Sequence, residues 1–300
     1  MKRLILAAAA LLLAVASTGG SGSAAPTNTV THRATFEGVQ PPARYFRLIE
    51  GISEFAPGQA GRLNSVAAPR YFSVIQGEVT VTIGSKTEVY TAGQTWSVPS
   101  GIYFEPRNDA NTTARVFFTV LSLPGVTPQP VPGSTVPANP SRILWTASTS
   151  VYVPANRIDL LQIIQEAEPG FKTSTHVMNH PHVYIVMEGE NTLRYLDGQV
   201  ETSAAGEQNV MGMGRPGTME NSGDANSQLA FSWLITPGTP PTSPVTGQPA
   251  AAAGAISPPS TGDAGLVGGE TTNLPGLGIL VGSAVLSLAI VAGRRGVQRG

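Results

Sequence analysis

The sequence predicts an all-β chain made of two tandem copies of one small barrel or sandwich, and three observations lead there. A pattern spanning residues 58–108 recurs at 170–221. Pro57–Gly58 returns as Pro169–Gly170, and Phe72-Ser-Val-Ile-Gln-Gly-Glu78 returns as Tyr184-Ile-Val-Met-Glu-Gly-Glu190, both at an offset of 112. After one inserted residue, Gly93, Gly101 and Asn108 return as Gly206, Gly214 and Asn221 at an offset of 113. Solenoid periods are shorter than this, so the repeat marks a duplicated domain. Within each copy, short stretches rich in Val, Thr, Tyr and Phe alternate apolar and polar residues between Gly and Pro signals, as at 71–83, which is strand patterning. Helix-like apolar runs occur only at the two chain ends. Regular short strands of this kind close into sandwiches or barrels.

Taken in order, the elements fit one plan. Gln76–Gly77 and Glu188–Gly189 are tight turns, because glycine enters positive φ without steric cost. Pro99-Ser-Gly101 is a second turn, and a strand follows at 113–121. The first domain is expected at 30–125, a Pro-rich linker at 126–142 forming an ordered crossover, and the second domain at 143–236. Each domain is long enough for one core.

Between the fixed glycines lies a spacing that resembles the cupin superfamily, jelly-roll β-barrels with the motifs G-x5-H-x-H-x3-E-x6-G and G-x5-P-x-G-x2-H-x3-N. In the first copy the second motif reads Gly93, Pro99, Gly101, Phe104 and Asn108; only the histidine is missing. In the second copy the first motif reads Gly170, His176, Met178, His182 and Gly189 with every spacing kept. The resemblance covers about 40–125 and 153–236 and implies a bicupin, two tandem jelly-roll barrels.

It also implies where a metal would sit, on two His and a Glu of the first motif and a His of the second. In the first copy those positions hold Asn64, Val66, Arg70 and Phe104. Valine and phenylalanine cannot coordinate, and a protonated arginine repels a cation, so no metal is expected there. Asn64, Arg70 and Phe104 instead suggest a pocket for an anionic or sugar-like ligand, a carboxylate suiting the arginine fork.

In the second copy the positions hold His176, Met178, His182 and Gly217, with His180 between them in a hairpin. His176, His182 and either His180 or Met178 could supply three ligands to a divalent transition metal, the thioether favouring copper. Against this, Gly217 offers no side chain, and the Pro-x-Gly turn has become Gly212-Met-Gly214. Gly212-Met-Gly-Arg-Pro-Gly217 matches G-x-G-x-x-G but lacks the helix a dinucleotide site needs. Glu188 and Glu190 read as a solvated turn, and the isolated His32 as a surface residue.

The ends indicate location. Met1-Lys-Arg3, an apolar run at 4–16 and small residues to Ala25 make a signal peptide at 1–25. No cysteine is present, so neither lipidation nor disulfides are available. Residues 271–293 carry no charge; 274–293 is long enough to span a bilayer and is followed by the basic tail 294–300. Basic residues stay inside, giving a type I anchor with the cupin domains outside the membrane. Leu274-Pro-Gly-Leu-Gly278 resembles a sortase signal, but Leu277 replaces its threonine, so sortase attachment is not expected. Residues 237–273, dense in Pro, Gly, Thr, Ser and Ala, read as a disordered stalk.

A net charge of −1 with 12% charged residues gives no footprint for nucleic acid. Fifteen arginines against three lysines, with abundant Ala and Gly, suit a GC-rich bacterial genome. The expected protein is thus a bacterial envelope bicupin. Its favoured role is non-catalytic: binding a small molecule, a sugar or carboxylate, or serving as a structural surface module. The alternative is a metal-dependent oxygenase or isomerase working through the second domain.

Overall fold

A computed structural model of the chain describes residues 25–126, 129–130 and 135–245. The expected membrane segment 274–293, the basic tail, nearly all of the signal peptide and the stalk beyond Val245 lie outside the described residues. The first half of the chain forms β1 (Asn28–Val39), β2 (Tyr45–Phe55), β3 (Asn64–Ser65), β4 (Arg70–Gln76), β5 (Glu78–Ile83), β6 (Lys86–Thr91), β7 (Thr95–Val98), β8 (Phe104–Arg107), β9 (Ala114–Ser122) and β10 (Gln129–Pro130). The second half forms β11 (Arg142–Tyr152), β12 (Ile158–Ala167), β13 (His176–Met178), β14 (His182–Glu188), β15 (Glu190–Tyr195), β16 (Val200–Ala204), β17 (Gln208–Met211), β18 (Pro216–Glu220), β19 (Ser227–Ile235) and β20 (Thr242–Pro244). The all-β architecture is consistent with the jelly roll that the motif resemblance implied.

Four five-stranded sheets pair into two barrels. The first barrel combines β11-β2-β9-β4-β7 with β10-β3-β8-β5-β6, and the second combines β1-β12-β19-β14-β17 with β16-β15-β18-β13-β20. Sheet membership cuts across chain order. β1 leaves its own copy and pairs with β12, from Asn28↔Ala167 to Val39↔Ile158. β11 in turn pairs with β2, from Arg142↔Glu54 to Tyr152↔Tyr45. The segment 30–125 therefore gives up its first strand and receives one from the segment 143–236. Sequence alternation defines a strand but not the edge it joins, because ladder bonds are made by backbone groups that every residue has.

The second copy also ends later than its composition suggests. In the segment read as stalk, β20 pairs antiparallel with β13, His176 lying opposite Pro244. Asn179 fastens this return through Nδ2, which donates to the Ser243 hydroxyl at 2.8 Å.

Alternation along the strands sorts residues into three layers. Phe55, Phe72, Val74, Val79, Val81, Trp96, Val98 and Phe104 fill the first barrel. Met178, Tyr184, Leu193, Met219 and Phe231 fill the second. The opposite faces of the β2 and β12 sheets meet between the barrels in two apolar clusters. One contains Phe46, Leu48, Leu121, Leu160 and Leu234; the other contains Ile52, Phe117, Ile164, Ile185 and Ala230.

Between those clusters runs a buried polar row, and His32 belongs to it. It is 7% exposed, not a surface residue, because β1 has been carried into the interface. His32 Nε2 donates to Ser73 Oγ at 2.8 Å, and the Ser73 hydroxyl donates to Gln162 Oε1 at 2.7 Å. Gln162 Nε2 donates to Thr119 Oγ1 at 2.8 Å, and Thr119 and Ser232 join at 3.0 Å. Glu50, the repeat mate of Gln162 at an offset of 112, is fully buried in the same region, and neither carboxyl oxygen has a hydrogen-bond partner.

Candidate functional site

The first barrel gathers Asn64, Arg70 and Phe104 from three strands. Arg70 opens β4 and lies opposite Val98 and Val120, while Asn64 of β3 lies opposite Phe104 of β8. This register turns Arg70 inward, where it is 2% exposed. Its Nη1 donates to Asn64 Oδ1 at 2.8 Å, and Nη2 donates to the Ile102 carbonyl at 2.6 Å. The guanidinium lies 4.3 Å from the centre of the Phe104 ring, a cation–π contact. Nε has no partner. Burial lowers the Arg70 pKa to about 10, so the group remains a cation at neutral pH.

Below it an aromatic column continues into the barrel. Phe104 and Phe72 are 5.1 Å apart, and Phe72 stacks on Trp96 at 4.8 Å with only 7° between planes. The buried Trp96 Nε1 also lacks a partner. Trp96 occupies no motif position, so sequence spacing did not single it out. Val66, at the remaining ligand position, is buried core. A cationic, amide and aromatic lining does not fit a metal ion.

In the second barrel, His176 Nδ1 bonds the Ser174 carbonyl at 2.8 Å. A carbonyl can only accept, so Nδ1 carries the proton and the Nε2 lone pair is left free. His182 is 4% exposed, stacked on Phe231 at 4.5 Å and tilted against Trp233 at 4.8 Å. Burial holds its pKa well below the ordinary imidazole value, with a further lowering from nearby His176. Met178 is packed in the apolar core.

His180 is drawn elsewhere: its Nδ1 accepts from the Thr236 backbone N–H at 3.3 Å. Its pKa is lowered by burial and partly restored by the Pro240 backbone. Gly217, opposite His176, adds no donor. Among the described residues no three His, Asp or Glu side chains converge on one point. The donors present amount to two imidazoles and a thioether, an incomplete set for the hard divalent ions that carboxylates bind.

The remaining cleft of note lies at the surface, lined by Gln40, Pro41, Pro42, Arg44, Ala155 and Asn156, with a volume of about 370 Å³. It is built by the turns that follow β1 and β11, away from either motif.

The comparison with known families bears on the first barrel. Residues 51–120 match the cupin domain model. This segment is a cupin domain. That match covers β4 to β8, the strands that carry Arg70, Trp96 and Phe104, and the second barrel repeats the same strand plan.

No curated protein matches the chain. Among solved structures, procruciferin from Brassica napus is similar at 9% identity and a TM-score of 0.43, over 69% of this chain and 86% of that one. A deletion mutant of Bacillus subtilis oxalate decarboxylase is similar at 13% identity and 0.45, over 71% and 78%. The vicilin of Solanum melongena, which has different anionic ligands in structurally similar pockets, is similar at 11% identity and 0.48, over 64% and 76%.

Proposed function

We propose that this cupin is an exported, membrane-anchored bicupin acting outside the membrane as a non-catalytic small-molecule-binding module. The observation that carries the reading is Arg70. A buried guanidinium stands where a metal ligand would be needed, held by an amide and a carbonyl and facing no carboxylate. Such a group repels a cation and recognises a polar ligand. The signal-like segment at 1–25, the uncharged stretch 274–293 and the basic tail after it support display outside the membrane. Thermal melting of the full-length chain against neutral sugars and carboxylates tests binding. Cell fractionation with N-terminal sequencing tests export.

A second reading rests on the second barrel. The free Nε2 of His176 and the unpartnered Nδ1 of His182 favour a soft transition metal there, and with it a metal-dependent oxygenase or isomerase. Metal content of the purified chain, beside a His176→Ala/His182→Ala double variant, separates the two. Near-stoichiometric metal lost in the variant supports the enzyme; none after repletion, with unchanged melting, removes it.

A further inference from the structure

We propose that the surface cleft between the turns following β1 and β11 is a binding site for an acidic sugar, with Arg44 gripping the carboxylate. The site lies outside both barrels and apart from Arg70 and the motif positions, so the inference goes beyond the binding-module reading.

The strand exchange frames the cleft. Residues 40–44 carry the chain from β1 to β2, and residues 153–157 carry it from β11 to β12. Because β1 pairs with β12 and β11 with β2, the two turns meet at one end of the seam. They are also repeat mates at an offset of 112, Pro42 corresponding to Pro154 and Arg44 to Asn156. The Val153 N–H donates to the Arg44 carbonyl at 2.8 Å, and the Gly38 N–H donates to Asp159 Oδ1 at 2.9 Å, joining one turn and its strands to the other. Pro41 and Pro42 fix their own φ at about −65°. The wall is thus stiff before a ligand arrives, and little chain has to be ordered on binding.

The lining selects the ligand. No carboxylate lines the cleft, and among the described residues neither Arg44 nor the adjoining Arg157 takes part in an ion pair. The side-chain amides of Gln40 and Asn156 have no hydrogen-bond partner among the described residues either. A guanidinium fork pairs with a carboxylate in two parallel bonds. A planar amide presents donor and acceptor side by side, the complement of neighbouring sugar hydroxyls, each itself a donor and an acceptor. The rings of Pro41 and Pro42 and the methyl of Ala155 supply apolar surface for the C–H face of a sugar.

Size and surroundings agree. At about 370 Å³ the cleft stands at the small end of ligand sites, roughly 300–1,000 Å³, which suits one or two sugar rings. No aromatic ring lines it, so a flat aromatic acid would find nothing to stack on. Just past it on β2, Tyr45 is 54% exposed and packs on Tyr152 of β11 at 4.6 Å, an exposed ring surface beside the site.

The test titrates the full-length chain with glucuronate, glucose, acetate and inorganic phosphate, read by calorimetry and by saturation-transfer NMR on the ligand. Glucuronate is expected to bind at one site per chain, with glucose, which lacks the charge, and acetate, which lacks the hydroxyls, each at least roughly tenfold weaker. Arg44→Gln is expected to weaken glucuronate about tenfold and Arg44→Lys to lie between. The Arg44 side chain is exposed and it is the backbone carbonyl that holds Val153, so both variants should melt as the wild type does. Glucuronate binding unchanged in Arg44→Gln overturns the site. If that binding is instead lost in Arg70→Met, the ligand belongs to the first barrel and the binding-module reading stands without this cleft. Acetate or phosphate binding as tightly as glucuronate overturns the sugar class. Silence with glucuronate at millimolar concentration removes the site and leaves the first-barrel reading to its own melting test.

Discussion

Glu50→Gln probes the seam between the barrels and has a sign and size that follow from position. Glu50 is fully buried, and desolvation raises its pKa from 4.5 to about 8, against an opposing influence of the nearby Ser232 hydroxyl, which forms no hydrogen bond to the carboxyl in the structure. Folding therefore holds a proton that the unfolded chain releases. Below pH 4.5 both states are protonated and the carboxyl has no effect. Between 4.5 and about 8 the unfolded state ionises while the folded state does not, so stability falls with rising pH. Above 8 the loss is complete.

Over that interval the loss is on the order of 5 kcal/mol, an upper limit because an ionised Glu50 can draw in water. Glutamine already occupies the repeat-related position as Gln162, fully hydrogen-bonded, so the amide fits the seam chemically. Urea unfolding at a series of pH values should show the variant within about 1 kcal/mol of wild type at pH 4. It should be more stable by several kcal/mol at pH 8, equivalent to roughly 10–20 °C in melting temperature for a domain pair of this size. A difference that stays flat from pH 4 to 8 would refute the assignment of Glu50 as a buried neutral acid.

Three further outcomes are expected. Gly77→Ala and Gly189→Ala should each lose roughly 2–4 kcal/mol, since a Cβ would sit 2.6 Å from the Thr113 or Asn226 carbonyl oxygen at φ of +72° or +70°. Gly84→Ala, also at positive φ but with nothing within 4 Å, should lose only about 1 kcal/mol; denaturant midpoints compare the three. Asn108→Ala and Asn221→Ala should each lose roughly 2–4 kcal/mol. Their amides donate to Phe55 and Thr112 carbonyls at 2.7 Å, and to Ala167 and Ala225 carbonyls at 2.9 and 2.8 Å, respectively, which thermal melts would register. His182, whose pKa is lowered by burial, stays neutral while the unfolded chain protonates below its ordinary 6.5, so its contribution falls as pH drops. His182→Phe should flatten that acid limb in melts at pH 5 and 7.5, and an unchanged limb would place its cause elsewhere.

The sequence by itself determined what local chemistry can determine. Period-two alternation and Gly turns marked strands and hairpins, the repeat from Gly58 to Asn108 marked a duplicated β domain, and the motif resemblance implied that it is a jelly roll. The identities at four motif positions also showed that Arg70 and Phe104 stand where coordinating side chains would be required. Asn64, Arg70 and Phe104 could be named together because motif spacing places them at one end of a barrel.

Only tertiary structure decided the rest. The exchange of β1 and β11 between halves was invisible because backbone ladders carry no label for the edge they join. His32 moved from the surface to the interface with that exchange, while His180 turned to the Thr236 backbone N–H at the end of the second domain. Trp96 joined Arg70 through a column of rings assembled from β4, β7 and β8. Glu50 came closest to being legible, as an acid within an apolar alternation and opposite number to Gln162 in the repeat. Its burial between two sheets, and hence its held proton, depends on which faces meet, and solvent exclusion is a property of the packed whole.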